Sequence, residues 1–255
     1  APLFGGLLQE SGPGTMTAVF GALALFSGLA VAPLVRRPAA EVPTREKRPV
    51  LGAPSPVDLT VSQGVRTRSF WCFWAVWALA GGAGISMVTL STAYGTTMGL
   101  SVQEAVILLM AFNLTNGGSR LVSGYLSDRI GRRSIMGVSF AAAGLAYWGF
   151  PLVQGLGPWA VMAAVVGFAF GTLFAVSAPL AVDRFGLRHF GAIFGLVFTA
   201  YGFLAGLLGP WLSGFLLDQT DGHFPLVFRY LGLLFVFSAV LIHFVRPIVR
   251  IKNKV

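Results

Sequence analysis

The chain has 255 residues, of which 55% are hydrophobic and only 11% are charged. This composition leaves too little polar surface to cover a soluble globule, so it excludes a soluble protein and indicates an integral membrane protein. The net charge of +9 lies largely in segments between apolar runs. Anionic lipid headgroups account for it there, and a nucleic-acid partner is not expected.

Apolar runs of about 20 residues, the length that crosses a bilayer as a helix, occur seven times in the sequence. Each run has to be helical, because an open strand edge would leave backbone groups unpaired in lipid. The predicted spans are 15–35, 69–93, 102–127, 133–152, 157–183, 189–217 and 225–248. The expected fold class is an all-α integral membrane protein with seven transmembrane helices.

The first span is separated from the other six by residues 36–68, which hold five prolines among mixed charges. This composition resists helix formation and buries little, so it predicts a cytoplasmic linker. An external segment and one helix are expected in 1–35, six helices in 69–248 and a cytoplasmic tail in 249–255. One helix plus six is an odd count for a self-contained transporter, and the chain begins with Ala1. We therefore expect an N-terminal portion to be missing.

Basic residues are concentrated in alternate connections between the spans. Seven Lys and Arg lie in 36–68 and four in 120–133, whereas 94–101 and 152–156 carry no charge. Because cytoplasmic loops are enriched in Lys and Arg, the N-terminus is predicted outside and the C-terminus in the cytoplasm. The expected location is the plasma membrane, which is the inner membrane if the source is bacterial.

Residues 124–133 place four charges in a tight turn between the second and third spans after the linker. Such charges can form ion pairs and helix-end contacts that exist in one state of a carrier and break in another, although simple anchoring of the topology would also use them. An acidic residue at the end of the 157–183 span could supply a partner for one of the arginines. The predicted gating residues are Gly124, Asp128, Arg129, Gly131, Arg132, Arg133 and Asp183.

The same turn resembles the loop signature of the major facilitator superfamily, G-x-L-x-D-R-x-G-R-R, with seven of ten positions agreeing. In that superfamily two six-helix halves surround a central cavity, and this loop joins the second and third helices of a half and braces the outward-facing state. The resemblance implies that the chain contains the last helix of the N-terminal half and the whole C-terminal half. The absent remainder of the N-terminal half would then be its partner in the lipid bilayer.

Residues 113–120 and 190–202 are similar to the oxalate/formate antiporter family and to its relatives, the monocarboxylate transporters. Those families carry small carboxylates and place an arginine in this helix, which implies a substrate role for Arg120. Monocarboxylate carriers commonly have an aspartate where this chain has Asn116. Oxalate carriers add a lysine near the position of Tyr201, where this chain has no basic residue. Both departures count against a dianionic substrate.

Arg120 also stands out on physical grounds, because it lies eight residues before Asp128, roughly 12 Å deeper along a helix. An arginine in mid-membrane costs about 2.5–3.5 kcal/mol on insertion scales and normally faces a cavity or a partner. No acidic residue lies in the apolar interior of any span, so a bound anion would serve as its counterion. The alternative is that the guanidinium reaches the cytoplasmic interface or binds backbone carbonyls.

Three further residues are candidate ligands of the same anion. Asn116 precedes Arg120 by one helical turn and Asn113 by about two, which places both amides near the arginine's face. Tyr201, in the penultimate helix, could offer its hydroxyl to the cavity. Packing between helices is the alternative for each of them.

The expected function is a secondary transporter of a small organic anion by alternating access, with antiport as one mode. The candidate solutes are monocarboxylates such as formate, lactate or pyruvate, and oxalate. A superfamily carrier of a non-carboxylate solute and a seven-helix receptor are the alternatives, although lysines at positions 47, 252 and 254 leave no membrane lysine for a retinal Schiff base. The three histidines are scattered through different segments, so we expect no enzyme activity, metal site or cofactor.

Overall fold

The structure, a computed structural model, describes residues 2–31 and 58–246, without the side chains of residues 2–13 and Met16. Regular secondary structure in these ranges is entirely helical, which confirms the all-α class. The chain divides into two compact units, Ala1–Ser55 and Pro56–Val255. Most of the predicted linker 36–68 and all of the predicted tail 249–255 lie outside the described residues.

The described part of the first unit is one helix, α1, over Pro2–Val31. Its apolar part is Thr17–Val31, which lies within the predicted span 15–35. The helix itself begins well before that span, and residues 32–35 lie outside the described range. Large apolar side chains such as Phe26 and Leu25 are 70% and 62% exposed within the chain. A helix with apolar side chains exposed in this way suits lipid or other helices rather than water.

In residues 58–246 of the second unit, six helices are long and apolar enough to cross a membrane. Each coincides with one of the predicted spans after the linker to within about four residues at either end, and two of them include short 3₁₀ ends. A multi-pass membrane fold is therefore confirmed for this unit. The six helices are α3 (Arg68–Thr97), α4 (Val102–Ile130), α5 (Arg132–Gly149), α6 (Leu156–Phe185), α7 (Phe190–Ala200, continuing to Gln219 through α8, Leu212–Gln219) and α9 (Phe224–Leu241).

Short turns join these helices, so successive helices run in opposite directions. Ser101 and Glu104 form a capping box at the start of α4, and Gly131 and Gly186 end α4 and α6 with φ angles of 95° and 87°. Those angles favour glycine because other residues rarely adopt them. We call one end of this unit the charged end: it comprises the start of α3, the α4–α5 turn, the α6–α7 turn and the end of α9.

Burial is uneven among the six helices. In the most apolar stretch of α3, 67% of the residues are buried within the chain, whereas the corresponding share is 22% in both α4 and the span Phe190–Gln219. The core around α3 is aromatic and includes Trp77, Tyr94 and Tyr147. α3 is therefore the central helix of this unit, and α4 and the span Phe190–Gln219 leave most of their surface uncovered within the described chain.

Helices α4 and α6 approach each other closely because of two glycines. A Cβ atom on Gly167 would collide with the carbonyl oxygen of Phe112, and one on Gly171 with the carbonyl oxygen of Asn116. Glycines four residues apart allow helix backbones to approach in this way, and the pair Gly167/Gly171 is an instance of it. The similar pairs Gly191/Gly195 and Gly202/Gly206 have no neighbouring atom within 4 Å in the described chain, so for them the spacing did not indicate a contact within this unit.

The span Phe190–Gln219 is not a regular α-helix throughout. After α7 it passes through two π-helical segments, Tyr201–Ala205 and Leu207–Trp211. The second segment contains Pro210, which has no backbone N–H to donate. The hydroxyl of Tyr230 donates to the carbonyl oxygen of Leu208 at 2.6 Å, so a side chain of α9 supplies a donor within this irregular stretch.

Candidate functional site

Arg120 lies in the middle of α4 with its side chain exposed within the chain. Its Cζ atom is 5.4 Å from the centroid of the Phe174 ring on α6, which is within the range of a cation–π interaction. In residues 2–31 and 58–246, both ion pairs involve Arg132, and none involves Arg120. The structure therefore places this guanidinium against a ring without a protein carboxylate beside it.

The two candidate asparagines differ in their surroundings. The Oδ1 atom of Asn116 is buried and has no hydrogen-bond partner, and its carbonyl oxygen lies at the close contact with Gly171 of α6. Asn113 is exposed, and its Nδ2 donates to the carbonyl oxygen of Leu109 at 3.0 Å. Asn116 and Arg120 thus both adjoin α6, whereas the amide of Asn113 is bonded within its own helix.

Tyr201 begins the first π segment and is half-buried. The centroid of its ring lies 5.5 Å from that of Phe174 and 5.9 Å from that of Trp77. Phe174 consequently contacts both Arg120 and Tyr201, which come from different helices. The structure brings three of the four candidate ligands, Arg120, Asn116 and Tyr201, to the surroundings of α6.

Sequence reasoning did not find the contact of Phe174 with Arg120 or the rings around Phe174. The chain has 22 phenylalanines, and their spacing in the apolar spans does not separate one ring from another. Only the contact with Arg120 distinguishes Phe174. A search for aromatic residues on the helix that packs against α4 would have included it among several others.

At the charged end, Arg132 joins two helices through carboxylates. Its Nε donates to Asp183 Oδ2 at 2.5 Å, and its Nη2 lies 3.5 Å from Asp128 Oδ1. Arg133 donates from Nη1 to the carbonyl oxygen of His243 at 3.3 Å. These contacts connect the α4–α5 turn with the ends of α6 and α9. Because the carboxylates of Asp183 and Asp128 are 45% and 69% exposed, each pair is expected to stabilise the fold by only about 0–1 kcal/mol.

The remaining predicted gating residues have more local surroundings. Arg129 lies over the ring of Tyr125 on the same helix, with its Cζ atom 4.4 Å from the ring centroid. Gly131 forms the turn itself with its positive φ. A Cβ atom on Gly124 would meet no neighbouring atom within 4 Å, so the structure gives no packing reason for glycine there.

The end of the predicted linker is docked on the six-helix unit. Asp58 Oδ1 accepts hydrogen bonds from the backbone N–H groups of Leu187 and Arg188 at 2.9 and 3.2 Å. The N–H of Leu59 donates to the carbonyl oxygen of Phe185 at 2.9 Å. The carboxylate of Asp58 lies so close to Gly186 in the α6–α7 turn that a Cβ atom at position 186 would collide with it. Sequence reasoning missed this contact, which joins residues about 130 positions apart.

A short helix, α2 (Val61–Val65), comes next within the segment 36–68, where the prolines suggested no helix. Thr60 and Gln63 form a capping box at its start, which satisfies backbone donors that a short helix otherwise leaves free. Gly64 is buried beneath Ile193 of α7. The final part of the predicted linker is therefore a docked, capped segment that leads directly into α3.

Six apolar helices in one unit, a charged turn between the second and third of them, and an arginine in mid-helix are features of a multi-pass membrane transporter. A sequence model of the Major Facilitator Superfamily matches residues 1–210. The chain belongs to this superfamily, which confirms the resemblance found in the charged turn. Family membership also indicates a transporter rather than an enzyme.

Individual relatives are carriers of organic acids by name. The chain is 30% identical over 145 residues to the oxalate:formate antiporter of Oxalobacter formigenes, and the alignment covers 56% of this chain and 35% of that protein. It is 24% identical over 164 residues to human monocarboxylate transporter 12, covering 63% and 31% of the two chains. For human monocarboxylate transporter 11 the identity is 30% over 174 residues, covering 65% and 36%. The chain thus spans about a third of the length of these relatives.

Proposed function

We propose that this chain supplies the C-terminal part of a secondary carrier that moves a small organic anion by alternating access. The observation that supports this most is Arg120, a guanidinium in the middle of α4 that has an aromatic ring beside it and no carboxylate among the described residues. A cation at this depth is stabilised when an anion neutralises it. A transported carboxylate would do so with two parallel hydrogen bonds from the guanidinium.

The neighbouring polar groups would complete the anion site. Asn116 lies one turn from Arg120 with a polar atom unpaired, so its amide could steady the guanidinium or bind a ligand oxygen. The hydroxyl of Tyr201 would contribute from the far side of Phe174. Asn113 would reach the ligand only if its amide gave up the bond to Leu109.

The uncovered faces of α4 and of the span Phe190–Gln219 support a second wall of the cavity in another part of the carrier. Large apolar side chains there are strongly exposed, for example Leu121 at 81% and Phe203 at 79%. Arg120 lies on α4 as well, and a guanidinium is not expected to face acyl chains. We therefore propose that another part of the carrier packs on this face and encloses the site.

The charged end would face the cytoplasm and brace one state of the cavity. Support comes from the concentration of arginines at this end and from the pair between Arg132 and Asp183, which joins α6 to the α4–α5 turn. The N-terminus would then lie outside, and the carrier would reside in the plasma membrane, or the inner membrane of a bacterium.

The names of the relatives and the charge of the site narrow the choice of solute. Related proteins include an oxalate:formate antiporter and monocarboxylate transporters. Among the described spans, Arg120 is the basic residue farthest from a helix end, which favours one carboxylate over two. A monocarboxylate such as formate, lactate or pyruvate is therefore the first choice, and oxalate is the second.

The test is uptake by the full-length carrier in proteoliposomes, with Arg120→Lys compared with wild type. Lysine keeps the charge but loses the planar fork, so we expect carboxylate uptake to fall at least about tenfold. Arg229→Lys, on α9 and away from Phe174, is the matched control and should leave uptake unchanged. Equal uptake by wild type and Arg120→Lys would remove the arginine from the site, and transport of no tested acid would favour a non-carboxylate solute.

A further inference from the structure

Beside Arg120 the structure contains a group of interlocked rings, which we call the aromatic wall. Its members are Trp77 of α3, Phe170 and Phe174 of α6, Phe198 of α7 and Tyr201 of the first π segment. Phe174 lies at the centre, with its ring centroid 5.1 Å from that of Trp77, 5.5 Å from Tyr201, 5.1 Å from Phe170 and 6.4 Å from Phe198. Three helical spans thus meet in one aromatic surface.

The wall has a buried back and an accessible front. Trp77 and Phe170 are 1% and 6% exposed, and Phe170 sits directly against Gly84, where a Cβ atom would not fit. Phe174 and Tyr201 are half-buried, and Phe198 is 38% exposed. The front rings are therefore held in place from behind while part of their surface stays free for contact.

The guanidinium of Arg120 lies over the central ring of this surface. A carboxylate bound to Arg120 would start next to Phe174, and the rest of the molecule could extend along the front of the wall. Formate has no further atoms to bury there, and the second carboxylate of oxalate would meet aromatic carbon instead of a cation. A planar apolar group would bury apolar area there and gain favourable contacts with the rings.

We propose that the preferred solute is a monocarboxylate that carries a planar apolar group, as an aromatic acid does, and that Phe174 determines this preference. The inference rests on the proposed carboxylate carrier and deepens it. Arg120 recognises the carboxylate that all such acids share, whereas Phe174 distinguishes them by the group attached to that carboxylate. Phe174 is in this sense a specificity-determining residue.

The experiment compares benzoate with acetate as solutes of the full-length carrier in proteoliposomes. In wild type, the KM for benzoate should be about tenfold lower than that for acetate, in proportion to the apolar area that benzoate adds. Phe174→Leu should raise the KM for benzoate about five- to tenfold and leave that for acetate within about twofold. Phe237→Leu, on an exposed face of α9, is the matched control and should change neither value.

The outcomes separate this inference from the proposed function. If Arg120→Lys lowers uptake of both acids and Phe174→Leu affects both equally, the carboxylate carrier stands and the aromatic preference is wrong. If wild type prefers acetate to benzoate, the preference is wrong as well. If Arg120→Lys changes uptake of neither acid, both the proposed carboxylate site and the aromatic preference are wrong.

A second variant covers the possibility that Phe174→Leu does not fold. Phe198 lies at the accessible edge of the wall, so Phe198→Leu removes less buried packing. It should raise the KM for benzoate about two- to threefold without changing that for acetate. An unchanged ratio of the two KM values in this variant, in carrier that elutes as a single species on size exclusion, would overturn the inference.

Discussion

Arg132 and Arg120 show two different ways in which this chain accommodates a guanidinium. Arg132, at the charged end, contacts the carboxylates of Asp183 and Asp128. Arg120, in the middle of α4, contacts the ring of Phe174 and no carboxylate in the described part of the chain. The first arrangement neutralises its own charge and can serve to hold helices together. The second leaves a charge to be neutralised from outside, which is what an anion site requires.

The largest loss of uptake is expected when a carboxylate is introduced next to Arg120. Asn116→Asp places an acidic group one helical turn away, where it can pair with the arginine and compete with the solute. Uptake at neutral pH should fall about tenfold or more and recover at acidic pH, where the new carboxyl is protonated. Uptake measured from pH 5 to pH 8 checks both parts.

Asn113→Asp provides the control for that variant. Asn113 is exposed and its amide is bonded to its own helix, so an acidic group there should reduce uptake by no more than about twofold, as expected of a more solvated and better screened charge. Equal losses in both variants would mean that a general charge effect, and not pairing with Arg120, is responsible.

A second large effect is expected at the glycine that sets the distance between α4 and α6. Gly171→Ala introduces a Cβ atom against the carbonyl oxygen of Asn116 and the Oγ of Ser119. The helices must move apart, which should destabilise the carrier by about 1–3 kcal/mol and shift Arg120 relative to Phe174. Thermal unfolding of purified carrier measures the loss, and Gly157→Ala at the start of α6, where no atom of the described chain lies within 4 Å, should unfold like wild type.

A smaller effect is expected at the charged end. Asp183→Asn removes one carboxylate from Arg132 and so weakens the contact between the α4–α5 turn and α6. The maximal rate should change two- to fivefold while KM stays constant. The free energy of unfolding should fall by less than about 1 kcal/mol. The double variant Arg132→Asp with Asp183→Arg should restore the rate in part. A change in KM with an unaltered maximal rate would instead connect this pair with the solute.

The smallest effect on transport is expected where the segment before α3 docks. Asp58→Ala removes the acceptor for the N–H groups of Leu187 and Arg188, at a cost of about 0.5–2 kcal/mol by analogy with a lost helix cap. Proteolysis near residues 58–60 should become faster while KM for the solute is unchanged. Unaltered cleavage would show that other contacts, such as the hydrogen bond of Leu59, suffice to dock the segment.

The membrane helices were predictable because a bilayer imposes a simple rule on the sequence. About 20 apolar residues are needed for each span, and the six membrane-length helices in the described part of the second unit all appear as such runs. The position of Arg120 could be inferred from the same rule, since a charge inside an apolar run is conspicuous. The four-residue spacing of Gly167 and Gly171 is shared by two glycine pairs that have no neighbouring atom within 4 Å in the described chain, so spacing alone does not show which pair packs closely.

The rest of the site depended on contacts between distant residues. Phe174 lies 54 positions from Arg120, and Asp58 lies 129 positions from Leu187, so local periodicity holds no information about either contact. The π segments were also unpredicted, although Pro210 marks one of them. Such segments arise from how a helix packs against its neighbours, here with Gly209 against Gly82.

Thermal unfolding of the full-length carrier with added acids tests whether Arg120 is neutralised by a solute. A ligand stabilises the state that it binds, so at least one of formate, lactate, pyruvate, oxalate and benzoate should raise the unfolding temperature of wild type. Arg120→Gln should unfold at the same temperature with and without that acid. An equal shift in wild type and Arg120→Gln would show that the acid binds elsewhere and would contradict the proposed anion site.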